Sequence, residues 1–488
     1  MGTDICDLTA QELHALYKAG SISPVEVMQA VLLRVEELDP AVNAFCQIAA
    51  DALDMARASE KRWQHKRPLG PLDGVPVSVK DNVAVAGLAT RYGSRVTDET
   101  PALHDSPCVA RLRESGAICF AKTTLPDFAH KIVTDSPLTG VTRNPWDTDR
   151  TPGGSSGGAA AAVALGMAPA AIGTDGGGSI RIPAAFTGTF GFKPSFGRVP
   201  HAPRGPFGLL SHVGPMTRCV ADAARILTVI SGPDSRDWYA LPFDASDYEL
   251  GLRCKPTPGG VRIAYSPSLG LAVTPETAVH DALMRTVDTF RDLGARVQQE
   301  NPPAIARCNS IHAIIWPACC RQLTDGMADG GDALDPSLQA YSEAGATISR
   351  QTLLGALIER GELGATVNAF FERYDLVICP VYPRVAMPLA ELAASKELFP
   401  HFTAWCNQLG LPAASVYAGS TSDGLPVGIQ IVGGRHADAL VLWASHILEL
   451  ALGRAPLAEL ARTLSSSIRG RKNALTPHAA RISGPAVR

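Results

Sequence analysis

Apolar positions recur every three or four residues early in the chain and every second residue further on, with the switch near residue 71. Over residues 8–66 this pattern predicts three helices. Thr9 caps the first over Glu12 and Leu13, with Leu16 and Tyr17 following at helical spacing. Pro24 opens the second, whose apolar Val25, Val27, Met28, Val31, Leu32 and Val35 run to a stop near Asp39-Pro40. The third covers 51–65. Residues 75–79 then alternate as a strand ending at Lys80-Asp81-Asn82. A helix over 106–115, closed by Gly116, leads to a buried strand over 117–121. Residues 133–152, broken by Pro137, Pro145 and Pro152, predict irregular loop, as do 200–214. A helix follows over 219–230, and the turn-rich 232–259 is the expected boundary between two lobes. Beyond it come a strand (261–265), a helix (275–293), a strand fragment (296–297) and a mainly helical stretch (305–373). Strands over 376–379, 413–417 and 427–432 and a closing helix over 437–452 complete the pattern. Strand alternating with helix predicts an α/β sheet rather than a bundle.

Composition narrows the classes. The 488 residues can bury a large core, and a formal net charge of −3 gives no electrostatic case for nucleic acid or an anionic membrane. Residues 463–488 carry Arg469, Arg471, Lys472, Arg481 and Arg488 and no acid, and predict a basic, flexible tail. Eleven cysteines without a C-x-x-C pair match neither a disulfide framework nor a zinc site, so reduced thiols and a cytoplasmic protein are expected. The N-terminus has no basic region followed by an apolar one, and no apolar run is long enough to span a bilayer.

Chemistry concentrates in 151–194. Two glycine-serine loops lie there, Gly153-Gly154-Ser155-Ser156-Gly157-Gly158 and Gly176-Gly177-Gly178-Ser179, joined by a small-residue segment, 159–171, that predicts one helix and a turn. Glycine at this density allows sharp turns, and a run of backbone N–H groups can hold an oxyanion. The first loop fits G-x-S-x-G, but that elbow needs a strand directly before the serine, and polar, proline-broken residues 144–152 precede it. No H-E-x-x-H, P-loop or S-x-x-K motif is present. A base is available outside the stretch: Lys80 ends an apolar strand, where desolvation lowers its pKa and lets it act as a neutral amine. On these residues alone, a lysine in an ion pair beside an ordinary glycine turn is an equal reading. His104, His130 and His201 lie near these motifs and are expected in structural or surface roles; Trp316 suits a pocket wall or core equally.

VSVKDN at 77–82, TPGGSSGGAAAAVA at 151–164 and GTDGGGSIRIPAAFTGTFGFKPSFGRVP at 173–200 resemble the amidase signature family of Ser-Ser-Lys hydrolases. AKTTLPDFA (121–129), HVGPMTRCVADAA (212–224), YDLVICP (374–380) and GLPVGIQIVGG (424–434) extend the resemblance over nearly the whole chain. It implies a large central mixed β-sheet covered by helices on both faces. It implies one domain over 1–462: a helical layer (1–66), a catalytic core (about 71–230), and a smaller lobe with pocket loops (about 260–452), followed by the 463–488 tail. Residue by residue, Ser179 matches the nucleophile, Lys80 the base, and Ser155 the bridging serine after a cis peptide bond. Gly176, Gly177, Gly178 and Ser179 match the oxyanion hole. Ser156, Asp175 and Arg181 match supporting positions, with Arg181 structural rather than a clamp for a substrate carboxylate. Thr124, Asp127, Gly176 and Tyr417 depart from the family pattern and are expected to alter the pocket wall.

The activity implied is hydrolysis of a linear carboxylic amide, with esters, anilides, carbamates and cyclic amides left open, and with no metal or cofactor. The implied partner is a small-molecule amide, not nucleic acid or membrane, and a homodimer is compatible. The alternative is a glutaminase-type component of a tRNA-dependent amidotransferase. Those components carry a segment like SRYGL…SLDQIGPM, whereas 201–216 here is HAPRGPFGLLSHVGPM, which favours a stand-alone hydrolase. A non-catalytic scaffold would be expected to have lost Lys80 or Ser179.

Overall fold

The computed structural model describes residues 4–242, 245–253, 258–327, 333–392 and 399–475. Eleven strands form one sheet in the order Phe45–Ile48, Ile118–Thr123, Pro76–Lys80, Ala170–Asp175, His212–Thr217, Phe190–Lys193, Ala413–Ser420, Pro426–Gly433, Leu376–Pro380, Arg262–Tyr265, Arg296–Gln299. Pairing is mixed: the strands ending in Lys80, Thr123 and Asp175 are parallel, whereas Ala170–Asp175 pairs antiparallel with His212–Thr217. The sheet runs unbroken across the two expected lobes.

Side chains alternate between the faces, as the period of two requires. Val77, Val79, Cys119, Ile172, Ile378 and Ile431 point into one core, beneath the helices Pro107–Glu114, Val220–Ile230, Thr277–Asp292 and Asp438–Leu452. Phe120, Ala171, Ala264, Val377 and Val432 point to the other face, where Pro24–Val42, Gly157–Ala164 and Ala404–Leu409 pack. Val77 and Val79 face the first core, so Ser78 and Lys80 face the second. That alternation aims the lysine at the glycine-serine loops.

Four strands escape the sequence pattern: Phe45–Ile48, Ala170–Asp175, Phe190–Lys193 and His212–Thr217. The last three are buried on both faces, so no polar side marks their period; Ala170–Asp175 and His212–Thr217 are also interrupted by small residues or proline, and Phe190–Lys193 is only four residues long. The second helix continues through Pro40 to Val42, and the 133–152 loop contains a short hairpin, Asp135–Ser136 with Gly140–Val141.

The expected tail boundary at 463 is corrected in part: a helix spans Leu457–Leu475 and runs through it, and 476–488 lie outside the described residues. Leu457 and Ala461 are buried, and Leu460, Leu464 and Ile468 pack against neighbouring cores. Ser465 Oγ and Arg469 Nε donate to Glu37 at 2.6 and 2.9 Å. Ten cysteines are free thiols, and Cys254 lies outside the described residues. Among the described residues no single helix is long and apolar enough to cross a membrane. Asp438–Leu452 and Leu457–Arg469 reach that length only as a pair bent by 66°, and the first of them is a core helix.

Candidate active site

Three elements converge on one point. Lys80 ends the strand Pro76–Lys80. Ser155 and Ser156 immediately precede the helix Gly157–Ala164. Asp175 ends the strand Ala170–Asp175, and the turn 176–179 leads into the helix Arg181–Thr187. The Gly157–Ala164 helix approaches its neighbours through small residues. A Cβ on Gly157 or on Gly158 would lie 2.3 Å from Thr134 Oγ1 or Thr124 Oγ1 respectively. The peptide bond before Ser155 is cis.

Lys80 is wholly buried. Its Nζ stands 2.7 Å from Ser155 Oγ, 2.9 Å from Thr174 Oγ1 and 3.4 Å from the Thr174 carbonyl oxygen. Burial pushes its pKa well below the usual 10.5, against the opposing pull of the Asp175 charge. Asn82 Nδ2 donates to Thr174 Oγ1 at 3.0 Å. Ser156 ties the two loops together: its amide donates to the Ser179 carbonyl at 3.1 Å, and its hydroxyl donates to the Thr174 carbonyl at 3.1 Å.

The second loop is built around Asp175. Its carboxylate accepts from the amides of Gly178 at 2.7 Å and Ile180 at 3.1 Å, from Arg181 Nε and Nη2, and from Asn407 Nδ2. Burial alone would raise the pKa of Asp175; the Arg181 charge and hydrogen bonds outweigh it and hold it low. Arg181 is also wholly buried. Its Nη1 donates to Gln430 Oε1 and to the Thr403 carbonyl, and its Nη2 to Asn407 Oδ1. Arg181 therefore braces the loop and lines neither cavity at Ser179.

The expectation for Gly178 fails on the same contacts. Its N–H is taken by Asp175, so it is not free for an oxyanion. The amides of Gly176, Gly177 and Ser179 have no acceptor among the described residues. Gly178 adopts φ +138°, where a Cβ would lie 2.3 Å from Thr403 Oγ1, so the turn demands glycine.

Two cavities meet at Ser179. Gly177, Ile132, His312, Tyr341 and Phe399 line the first, and Ser155, Thr174, Asn82, Tyr92 and Phe207 line the second. Trp316 lines both, so it is a pocket residue. The helix Ile305–Thr324 and residues 399–400 line the first cavity, so a helix rather than loops alone forms this wall. The 128–132 segment joins that wall beside the family-like 121–129 motif, through Phe128 and Ala129 rather than the expected Asp127; these two, at φ 48° and 60°, turn it into the cavities. Of the departures from the family pattern, Gly176 lines a cavity, whereas Thr124, Asp127 and Tyr417 line neither. Thr124 instead hydroxyl-bonds Thr142 at 2.7 Å behind the Gly157–Ala164 helix, and Asp127 accepts the Asp335 amide at 2.8 Å. His130 and His201 line the cavities as buried rings whose pKa burial lowers to about 4, and His104 is exposed. Among the described residues no group of three His, Cys, Asp or Glu side chains could hold a metal ion.

Comparison with known proteins places this site in context. The Amidase family profile matches residues 26–442. A glutamyl-tRNA(Gln) amidotransferase subunit of Symbiobacterium thermophilum is 37% identical over 472 residues, 90% of this chain and 96% of its own length. An acylamidase of Rhodococcus erythropolis is 34% identical over 89% of this chain and 93% of its own length. A bacterial aryl acylamidase of the amidase signature family superposes with a TM-score of 0.84 at 31% identity, covering 94% of this chain and 98% of that one. The chain belongs to the amidase signature family, whose members cleave carbon–nitrogen bonds.

Proposed function

We propose that this chain is a stand-alone hydrolase of a neutral carboxylic amide, working through an acyl-enzyme on Ser179. One observation carries the reading: a wholly buried amine, Lys80 Nζ, 2.7 Å from the hydroxyl of Ser155. Neutral lysine has two N–H donors and one lone pair. The Thr174 carbonyl and Oγ1 take the donors, and the lone pair is left to receive the Ser155 proton. Ser155 in turn takes the proton of Ser179, whose Oγ attacks the amide carbon. The oxyanion rests on the amides of Gly176, Gly177 and Ser179. The relay then reverses: the proton passes through Ser155 to the leaving nitrogen, the C–N bond breaks, and water cleaves the acyl-enzyme to the acid by the same path.

A neutral substrate suits the charges present. The two cations lining the cavities are already paired, Lys131 with Asp135 and Asp335 at 2.8 and 2.6 Å, and Arg204 with Asp237 at 2.8 and 2.7 Å. Ser179→Ala and Lys80→Ala are each expected to lower kcat on an amide by at least about 10³-fold, with unchanged circular dichroism. A fluorophosphonate should label wild type and not Ser179→Ala. Near-wild-type turnover by either variant overturns the reading.

The similarity to glutamyl-tRNA(Gln) amidotransferase components favours a second reading, release of ammonia from glutamine for a partner. Hydrolysis of glutamine in preference to uncharged amides, with co-purifying partner proteins, would establish it in place of the first.

A further inference from the structure

Trp316 is held on four sides. Its Nε1 donates to the His130 carbonyl at 3.0 Å. Its ring stacks on His312 with centroids 5.2 Å apart and packs against Phe207 at 4.5 Å. A Cβ on Gly176 would come within 3.0 and 3.2 Å of indole carbons Cζ3 and Cη2, so the indole rests directly on the nucleophile loop and would have to give by a few tenths of an ångström to a larger residue there. A ring fixed this way has little freedom to move, and with Ser179 and Ala129 it is one of the three residues that line both cavities.

The two cavities reach different parts of the relay. Ser155 and Thr174 line only the second; Gly177 lines only the first. In the proposed mechanism Ser155 returns the proton to the leaving nitrogen, so that nitrogen and its substituent belong on the Ser155 side. The acyl group is left with the first cavity. We propose that Trp316 is a specificity-determining residue that sorts the two halves of a secondary amide. The acyl chain lies among Ile132, His312 and Phe399, and the N-substituent lies against Tyr92 and Phe207. The substrate class is an N-substituted amide with apolar groups on both sides of the carbonyl, rather than a primary amide. His312, whose pKa burial lowers to about 4, keeps the acyl side uncharged at neutral pH. The inference rests on Ser179 acting as the nucleophile.

The test compares N-benzylhexanamide with hexanamide, whose leaving amines have similar basicity. Wild type should prefer the N-benzyl substrate in kcat/KM. Trp316→Ala should cut that preference at least about tenfold, because an aromatic contact on the N-side is lost only for the substituted amide; Trp316→Phe should restore part of it. Phe207→Ala should lower the N-benzyl rate alone. Ile132→Ala should alter acyl chain-length preference and leave the N-benzyl preference intact. Equal losses on both substrates in Trp316→Ala, or reversed effects of Phe207 and Ile132, overturn the assignment. If wild type cleaves no amide, the functional reading fails by itself. The compartments are then read from covalent labelling by phenylmethanesulfonyl against methanesulfonyl fluoride, whose organic group takes the acyl position as fluoride leaves. Trp316→Ala and Ile132→Ala should narrow the benzyl preference and Phe207→Ala should not; absent labelling, or the opposite pattern, overturns the inference.

Discussion

Arg181 and Asp175 form a two-armed ion pair with both side chains wholly buried: Nε donates to Oδ2 and Nη2 to Oδ1, each at 2.9 Å. The pair is a frame for the turn before Ser179, since the same carboxylate also holds the amides of Gly178 and Ile180. Asp175→Asn leaves a buried guanidinium without its counter-charge. The expected loss is about 3–5 kcal/mol in urea denaturation, with kcat falling because the loop relaxes. The Asp175 pKa is depressed in the folded state, so this contribution is complete above its usual 3.8 and fades as the pH falls below it. A variant within about 0.5 kcal/mol of wild type would show that the frame is dispensable.

Lys80 gives a pH slope of the same sign in a higher window, but as a desolvation cost that disappears with rising pH rather than a gain. Burial lowers its folded pKa well below 10.5, so between the two values the unfolded chain carries a proton that the folded chain lacks. Stability attributable to this residue therefore rises with pH across that window. Lys80→Met should gain most over wild type, in thermal melts, at neutral pH and below, and that difference should shrink toward pH 10.5. A difference independent of pH would mean that Lys80 is protonated in the folded protein. The rate should agree: kcat/KM should climb along an acidic limb as Lys80 loses its proton.

Gly178 and Gly87 form a controlled pair. Both have positive φ, +138° and +87°, but a Cβ on Gly178 would meet Thr403 Oγ1 at 2.3 Å, and one on Gly87 would meet nothing within 4 Å. Gly87→Ala should cost only backbone strain, about 1–2 kcal/mol. Gly178→Ala should cost clearly more and abolish turnover, since Thr403 Oγ1 also donates to the Gly177 carbonyl at 2.5 Å. Equal losses in denaturant midpoints would assign the glycine requirement to φ alone.

What the chain reveals without its fold follows physical lines. Lys80 is legible because a lysine closing an apolar alternating run is unusual, and Ser155 and Ser179 because glycine clusters mark special backbone. The engagement of the Gly178 amide is not legible, because the direction an N–H points is decided by the turn that Asp175 folds around itself. The 121–129 motif points to the wall, but which of its residues reach the cavities is hidden, because the left-handed backbone of Phe128 and Ala129 occurs without a glycine to announce it. Ala170–Asp175 escapes because a strand buried on both faces has no polar side to reveal its period. Trp316 and Gly176 acquire meaning only together, once the fold sets helix Ile305–Thr324 over the loop.

The C-terminal helix tests how much a charge run can mislead. Arginines and the lack of acids suggest a solvated tail, yet Leu457, Leu460, Ala461, Leu464 and Ile468 recur at helical spacing and meet the protein. Burying Leu457 alone contributes about 1.5–3 kcal/mol, and the half-buried Leu460, Leu464 and Ile468 together add a comparable amount. Arg469 and Glu37, 2.7 Å apart, are too exposed to matter beyond a few tenths of a kcal/mol. A chain ending at residue 456 should therefore melt several degrees below one ending at 475 and bind a hydrophobic dye through the uncovered N-terminal core. Glu37→Gln should change neither. Equal melting of the 456 and 475 truncations would mean that the helix contributes no stability to the domain, and that its apolar stripe is not part of the core.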